Sequence, residues 1–158
     1  MRNQPARAVT VASLLFAGTL ASQCSGTPAQ PESRAPFKPV ATVDEVMDGI
    51  VIPSAQAIFD AVVYSNGELL QAPKTDDDWF NLRIHALAIA EAGNLLMMPP
   101  RARDAGDWVK MSLALNDRAM TAARAAEKRD LDALLKAGGD MYDVCTACHE
   151  KYAMPEGQ

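Results

Sequence analysis

The chain has 158 residues, of which 49% are hydrophobic and 22% charged, and it carries a net charge of −5 at pH 7. A negative charge argues against nucleic acid and anionic lipid as partners, because both are negatively charged themselves. Two of the three cysteines belong to a closely spaced C-terminal motif, so no structural disulfide within the chain is expected.

Residues 1–21 have the features of an export signal. Arg2 and Arg7 give a positive start, residues 8–17 are apolar, and residues 19–21 are small enough for cleavage. The apolar run is shorter than the roughly 20 residues that a spanning helix requires, although an uncleaved anchor is the alternative. We therefore expect a periplasmic protein. Loss of both arginines would leave 13 basic and 20 acidic side chains, a net charge of −7.

Residues 22–41 are expected to form a flexible linker, extended by prolines that fix φ and remove backbone donors (Pro28, Pro31, Pro36 and Pro39). Cys24 follows the apolar run in the way that a lipoprotein tether begins. Gln23, however, stands where such motifs have Gly, Ala or Ser. The alternative is cleavage after Ala21, which would leave Cys24 as a free thiol.

Residues 42–158 have the size of one domain, and their apolar residues recur at helical spacing with no credible strand. Helix A is predicted to begin at Thr42, because Glu45 three residues later completes a capping box, and to end at residues 65–67. Pro53 cannot donate to the carbonyl of Gly49, and its ring crowds that group. A kink or a loosened turn is therefore expected between Gly49 and Pro53.

Three further helices are predicted from their caps and breakers. Helix B follows the N-cap Thr75 and stops at residues 99–100, a pair of prolines. Helix C ends near residues 128–129, and helix D follows the cap Asp130. Short connections favour antiparallel neighbours. The predicted fold class is therefore all-α, an antiparallel up-down-up-down four-helix bundle.

The apolar face of helix D carries the motif Cys145-Thr146-Ala147-Cys148-His149. This is C-x-x-C-H, the attachment signature of haem c. Two thiols add across the two vinyl groups of one haem, and the next imidazole ligates the iron. Spacings of three and four residues place these groups on one side of a helix. Two alternatives fit less well: a redox dithiol normally follows a strand, and a structural zinc needs a fourth ligand that is not nearby in sequence.

A four-helix bundle with this motif in its last helix resembles the class II c-type cytochromes, the cytochrome c′ superfamily. The resemblance covers about residues 42–152 and includes Tyr152, three residues after His149. The family usually has Arg or Lys after that tyrosine, whereas here Ala153 follows it. The resemblance implies one covalent haem, attached through Cys145 and Cys148, with His149 as the proximal axial ligand of the iron.

The resemblance also implies what occupies the sixth coordination position. Low-spin members use a methionine of the first helix, so Met47 on the helix A stripe is the expected distal ligand. A thioether favours Fe(II) and suits electron transfer, although a core methionine is the alternative interpretation. Met97 and Met111 lie on stripes too, but nothing in the resemblance singles them out. His85, the only other histidine, is more commonly a semi-buried structural residue than a ligand.

The expected function is therefore electron transfer in the periplasm with a redox partner protein, for which the acidic charge mildly favours a basic surface. In high-spin members an apolar side chain blocks the sixth position. The alternative is accordingly a five-coordinate protein that binds NO or CO. No nucleophile–base pair or carboxylate cluster points to an enzyme. The resemblance also makes a homodimer through the first two helices an expectation.

Overall fold

The computed structural model describes residues 37–153, so the predicted signal peptide, Cys24 and most of the predicted linker lie outside the described residues. No helix in the described range is long and apolar enough to cross a membrane. The described range is mostly helical, which confirms the predicted all-α class.

The first helical segment consists of three consecutive parts: α1 (Val43–Val46), a π-helical turn (Met47–Val51) and α2 (Ile52–Phe59). The predicted capping box is present, because Thr42 N donates to Glu45 Oε2 at 2.8 Å and Glu45 N donates to Thr42 Oγ1 at 3.2 Å. The predicted loosening next to Pro53 is also present. It takes the form of the π turn, in which Ile52 N–H bonds to the carbonyl of Met47, five residues earlier.

A β-hairpin follows α2, so two predictions were wrong: helix A does not reach residues 65–67, and the domain does contain strands. The strands β1 (Val63–Ser65) and β2 (Glu68–Gln71) pair antiparallel. Asn66 and Gly67 form the turn between them with φ of 51° and 82°. Asn-Gly favours the tight turn whose backbone twist matches that of a hairpin. The same two residues also end helices, which is why the sequence was ambiguous here.

Three helices of 22 residues each complete the described range: α3 (Asp76–Met97), α4 (Asp107–Lys128) and α5 (Leu131–Tyr152). The predicted caps of α3 and α5 are confirmed, because Thr75 Oγ1 accepts from Asp78 N at 3.1 Å and Asp130 Oδ1 accepts from Ala133 N at 2.9 Å. Arg129 adopts a left-handed conformation, φ 56°, and so ends α4 abruptly.

Small residues let α3 and α4 approach closely. Ala86 and Ala92 of α3 and Ala119 and Ala122 of α4 are fully buried. A Cβ atom added at Gly93 would collide with the side chain of Asn116 and lie 2.8 Å from the carbonyl oxygen of Ser112. The largest fully buried side chains belong to α3 and α5 (Ile89, Leu134 and Met141). The core thus lies between the first helical segment, α3, α4 and α5, and α2 contacts α3 and α5.

A buried arginine, which the sequence did not reveal, anchors the start of the first helical segment. Arg101 is 6% exposed and lies in the connection between α3 and α4. Its Nε donates to the carbonyl of Leu95 at 2.6 Å, and its Nη1 donates to the carbonyl of Ala41 at 3.0 Å. The guanidinium therefore ties the residue before the Thr42 cap to the end of α3.

Candidate functional site

The C-x-x-C-H residues lie in the last two turns of α5, where the helix is unbroken. Cys145 and Cys148 are half-buried free thiols, and His149 is exposed at the helix surface. Because the helix is continuous, residues three and four apart share one side of it. All three residues line one cavity.

That cavity has a volume of about 510 Å³, within the range typical of small-molecule and cofactor sites. Its remaining lining is largely apolar and comes from the first helical segment, α3, α4 and neighbouring residues of α5 (including Val51, Ile52, Phe59, Leu96, Trp108, Leu115 and Val144). An apolar chamber of this size beside two thiols and an imidazole suits a large, flat, apolar ligand better than a single ion.

Met47 lines the same cavity and is the first residue of the π turn. Met111 of α4 also lines it, which the sequence did not indicate. Its position three residues after Trp108 on the α4 stripe was the available signal, but many core methionines share such a position. Met141, in contrast, is fully buried in the core. Two thioethers, rather than one, are therefore available to a ligand in the cavity.

The environment of the two thiols opposes the redox-dithiol alternative. Burial raises the pKa of Cys145, and the negative charge that Cys148 would carry raises it further. Burial also raises the pKa of Cys148. A dithiol redox catalyst needs the opposite shift, because the thiolate is the nucleophile. The pKa values of both thiols are instead shifted upward.

A single metal ion also lacks a ligand cluster in the part of the chain that the structure describes. Among residues 37–153, no three His, Cys, Asp or Glu side chains are grouped so that they could hold one ion. Cys145, Cys148 and His149 share the cavity without converging on one point.

The last turn of α5 contacts the start of α4 and the connection that precedes it. Tyr152 Oη donates to Asp104 Oδ2 at 2.5 Å, and the Tyr152 ring packs edge-on against Trp108 with centroids 5.0 Å apart. Lys151 Nζ contacts Asp107 Oδ2 at 2.6 Å. The Tyr152 hydrogen bond lowers the pKa of Asp104, and the Lys151 contact lowers the pKa of Asp107. These contacts restrain the turn that carries His149.

Trp108 connects these contacts to the cavity wall. Its side chain is 4% exposed, and its Nε1 donates to the carbonyl of Leu96 at 2.8 Å. The indole therefore packs in the hydrophobic core and also lines the cavity. Trp79, the other tryptophan, is half-buried against the core and is not part of the cavity lining.

His85 lies elsewhere. Its Nδ1 is 3.3 Å from Ser54 Oγ, and it lines a separate, more polar cavity with Asp60, Lys74 and Asp78. Since it does not share the cavity of His149, the structural interpretation of His85 is the better one.

Comparisons with protein-family models, with curated proteins and with solved structures found no match for this chain. Two thiols and an imidazole on one helix, an apolar chamber beside them and a thioether on another wall fit a covalently attached haem.

Proposed function

We propose that the protein is a periplasmic electron-transfer cytochrome of the class II c type, with one covalent haem c. Cys145 and Cys148 would form the thioether bonds, His149 would be the proximal axial ligand, and Met47 the distal one. The observation that carries the proposal is that one apolar cavity is lined by all four of these residues.

The proposed fold is the up-down-up-down bundle, formed by the first helical segment with α3, α4 and α5. The pattern of neighbours supports it: α2 contacts α3, α3 contacts α4, α4 contacts α5, and α5 contacts α2. Four helices that touch in chain order and close into a ring are what an antiparallel bundle requires.

Each residue has a separate role in this proposal. The haem supplies one-electron transfer when it is bound. The Met47 thioether would favour the reduced metal. Trp108 and its apolar neighbours would exclude water, which is a further influence on the reduction potential. Tyr152 and Lys151 hold the turn of His149 through Asp104 and Asp107.

The alternative function is binding of NO or CO at a five-coordinate iron. Val51 and Ile52 share the cavity wall with Met47, so an apolar side chain is available to cover the sixth position. This alternative requires that Met47 remain an ordinary wall residue.

Absorption spectra of the oxidised and reduced protein separate the two functions. A His/Met iron gives a low-spin spectrum with a weak near-infrared sulfur-to-iron band, and CO binds slowly. A high-spin spectrum with rapid CO binding would reject the electron-transfer proposal in favour of gas binding.

The proposed location and partner follow from export. The protein should fractionate with the periplasm or its membrane face, and its redox partner should present a basic surface to this acidic chain. Incorporation of labelled palmitate that is lost in Cys24→Ser would establish the lipid tether, and the absence of label would refute it.

A further inference from the structure

The π turn changes the rotational phase of the first helical segment. It contains one residue more than an α-helical turn, because its hydrogen bond joins Met47 and Ile52. Val46, just before the turn, and Val51, its last residue, are 2% and 5% exposed and lie five positions apart. Residues before the turn are therefore rotated by about 100° relative to an uninterrupted α-helix.

The cavity wall shows why this rotation matters. Residues 51–52, 55–56 and Phe59 line the cavity at α-helical intervals. Met47 lies four and a half positions before the midpoint of residues 51–52. In an α-helix this separation corresponds to a rotation of about 450°, so Met47 would point about 90° away from the cavity wall. Because the π turn contains one extra residue, the rotation between Met47 and that midpoint is instead about 350°, close to one full turn. Met47 is thereby aligned with the cavity wall.

Pro53 accounts for the extra residue. In an α-helical register Pro53 could not donate to the carbonyl of Gly49, and its ring would press against that group. With the π turn ending at Val51, Pro53 becomes the second residue of α2, where proline is tolerated. Gly49 is not required by packing, because a Cβ atom there would meet nothing within 4 Å.

We infer that the π turn, held open by Pro53, is the element that positions the Met47 thioether in the cavity. Pro53 is a positioning residue that acts through the phase of the helix. This inference rests on the proposed function, since it concerns the distal ligand of the haem.

The test uses three full-length chains, exported in a host with working c-type maturation: the wild type, Pro53→Ala, and Pro53→Ala combined with deletion of Gly49. In Pro53→Ala the π turn should revert to an α-helical turn, which rotates Met47 away from the cavity. The near-infrared sulfur-to-iron band should therefore fall at least twofold, and CO binding should appear. Deletion of Gly49 leaves Met47 three and a half positions before the midpoint of residues 51–52, a rotation of about 350° in an α-helix. Met47 should then face the cavity again, and the band should be restored.

Covalent haem on the denatured chain and far-ultraviolet circular dichroism should be equal in all three proteins, because the attachment residues lie on α5. Full retention of the band in Pro53→Ala would overturn the inference. Failure of the Gly49 deletion to restore a lost band would overturn it as well. Wild-type protein with covalent haem but no band would refute Met47 ligation itself, and wild-type protein without covalent haem would refute the proposed function.

Discussion

Gly93→Ala tests the close approach of α3 and α4 on which one wall of the cavity depends. The new Cβ would collide with Asn116, whose flexible side chain can move, and would lie 2.8 Å from the carbonyl oxygen of Ser112, which cannot. The two helices must therefore separate. Overpacking of this kind costs up to about 3 kcal/mol, and the better helix propensity of alanine returns about 1 kcal/mol.

We therefore expect Gly93→Ala to lower the free energy of unfolding by up to about 2 kcal/mol, which for a domain of this size lowers Tm by up to roughly 8 °C. Gly139→Ala is the matched control, because Gly139 also lies inside a helix but a Cβ atom there would meet nothing within 4 Å. It should raise stability by about 0.5–1 kcal/mol. Urea unfolding followed by circular dichroism measures both. A Gly93→Ala protein stabilised as much as Gly139→Ala would refute the packing argument, because it would show no cost of the clash.

Two further predictions concern the site. Met47→Ala should abolish the near-infrared band and open the iron to CO. Met111→Ala, on another wall of the same cavity, should leave the band in place. Loss of the band only in Met111→Ala would assign the ligand to α4 instead. Because the pKa of Asp104 is lowered in the folded protein, its contact with Tyr152 stabilises the fold above the ordinary Asp pKa of about 4 and loses that effect as the pH falls below it. Tyr152→Phe keeps the ring against Trp108 but should flatten the acid-side decrease in unfolding free energy; an unchanged pH profile would contradict this assignment.

The helices were predictable from the sequence where the determinants are local. Thr42 with Glu45, Thr75 with three acids after it, and Asp130 each satisfy free amides within one turn, and the observed helices begin there. The hairpin was missed because every residue of β1 and β2 is exposed. Neither strand therefore shows the alternation of buried and exposed residues that identifies a strand in sequence.

The candidate site likewise has features that were predictable from local sequence and features that were not. The C-x-x-C-H motif is local, so the sequence was sufficient to find it. The contacts of Arg101 with Ala41 and of Tyr152 with Asp104 join residues 60 and 48 positions apart. Such pairs depend on how helices pack, as does the arrival of Met111 at the cavity. The one-residue phase shift at Met47 was likewise beyond prediction, because a proline indicates a disturbed turn without fixing its form.

The central claim is that Cys145 and Cys148 bind a haem covalently. The direct measurement is the mass and haem stain of the denatured, acid-acetone-extracted chain after export in a host with working c-type maturation. The proposal predicts that the haem stays with the wild-type chain and is absent when both cysteines are replaced by alanine. A wild-type chain that releases its haem, or that purifies colourless from such a host, would contradict the claim.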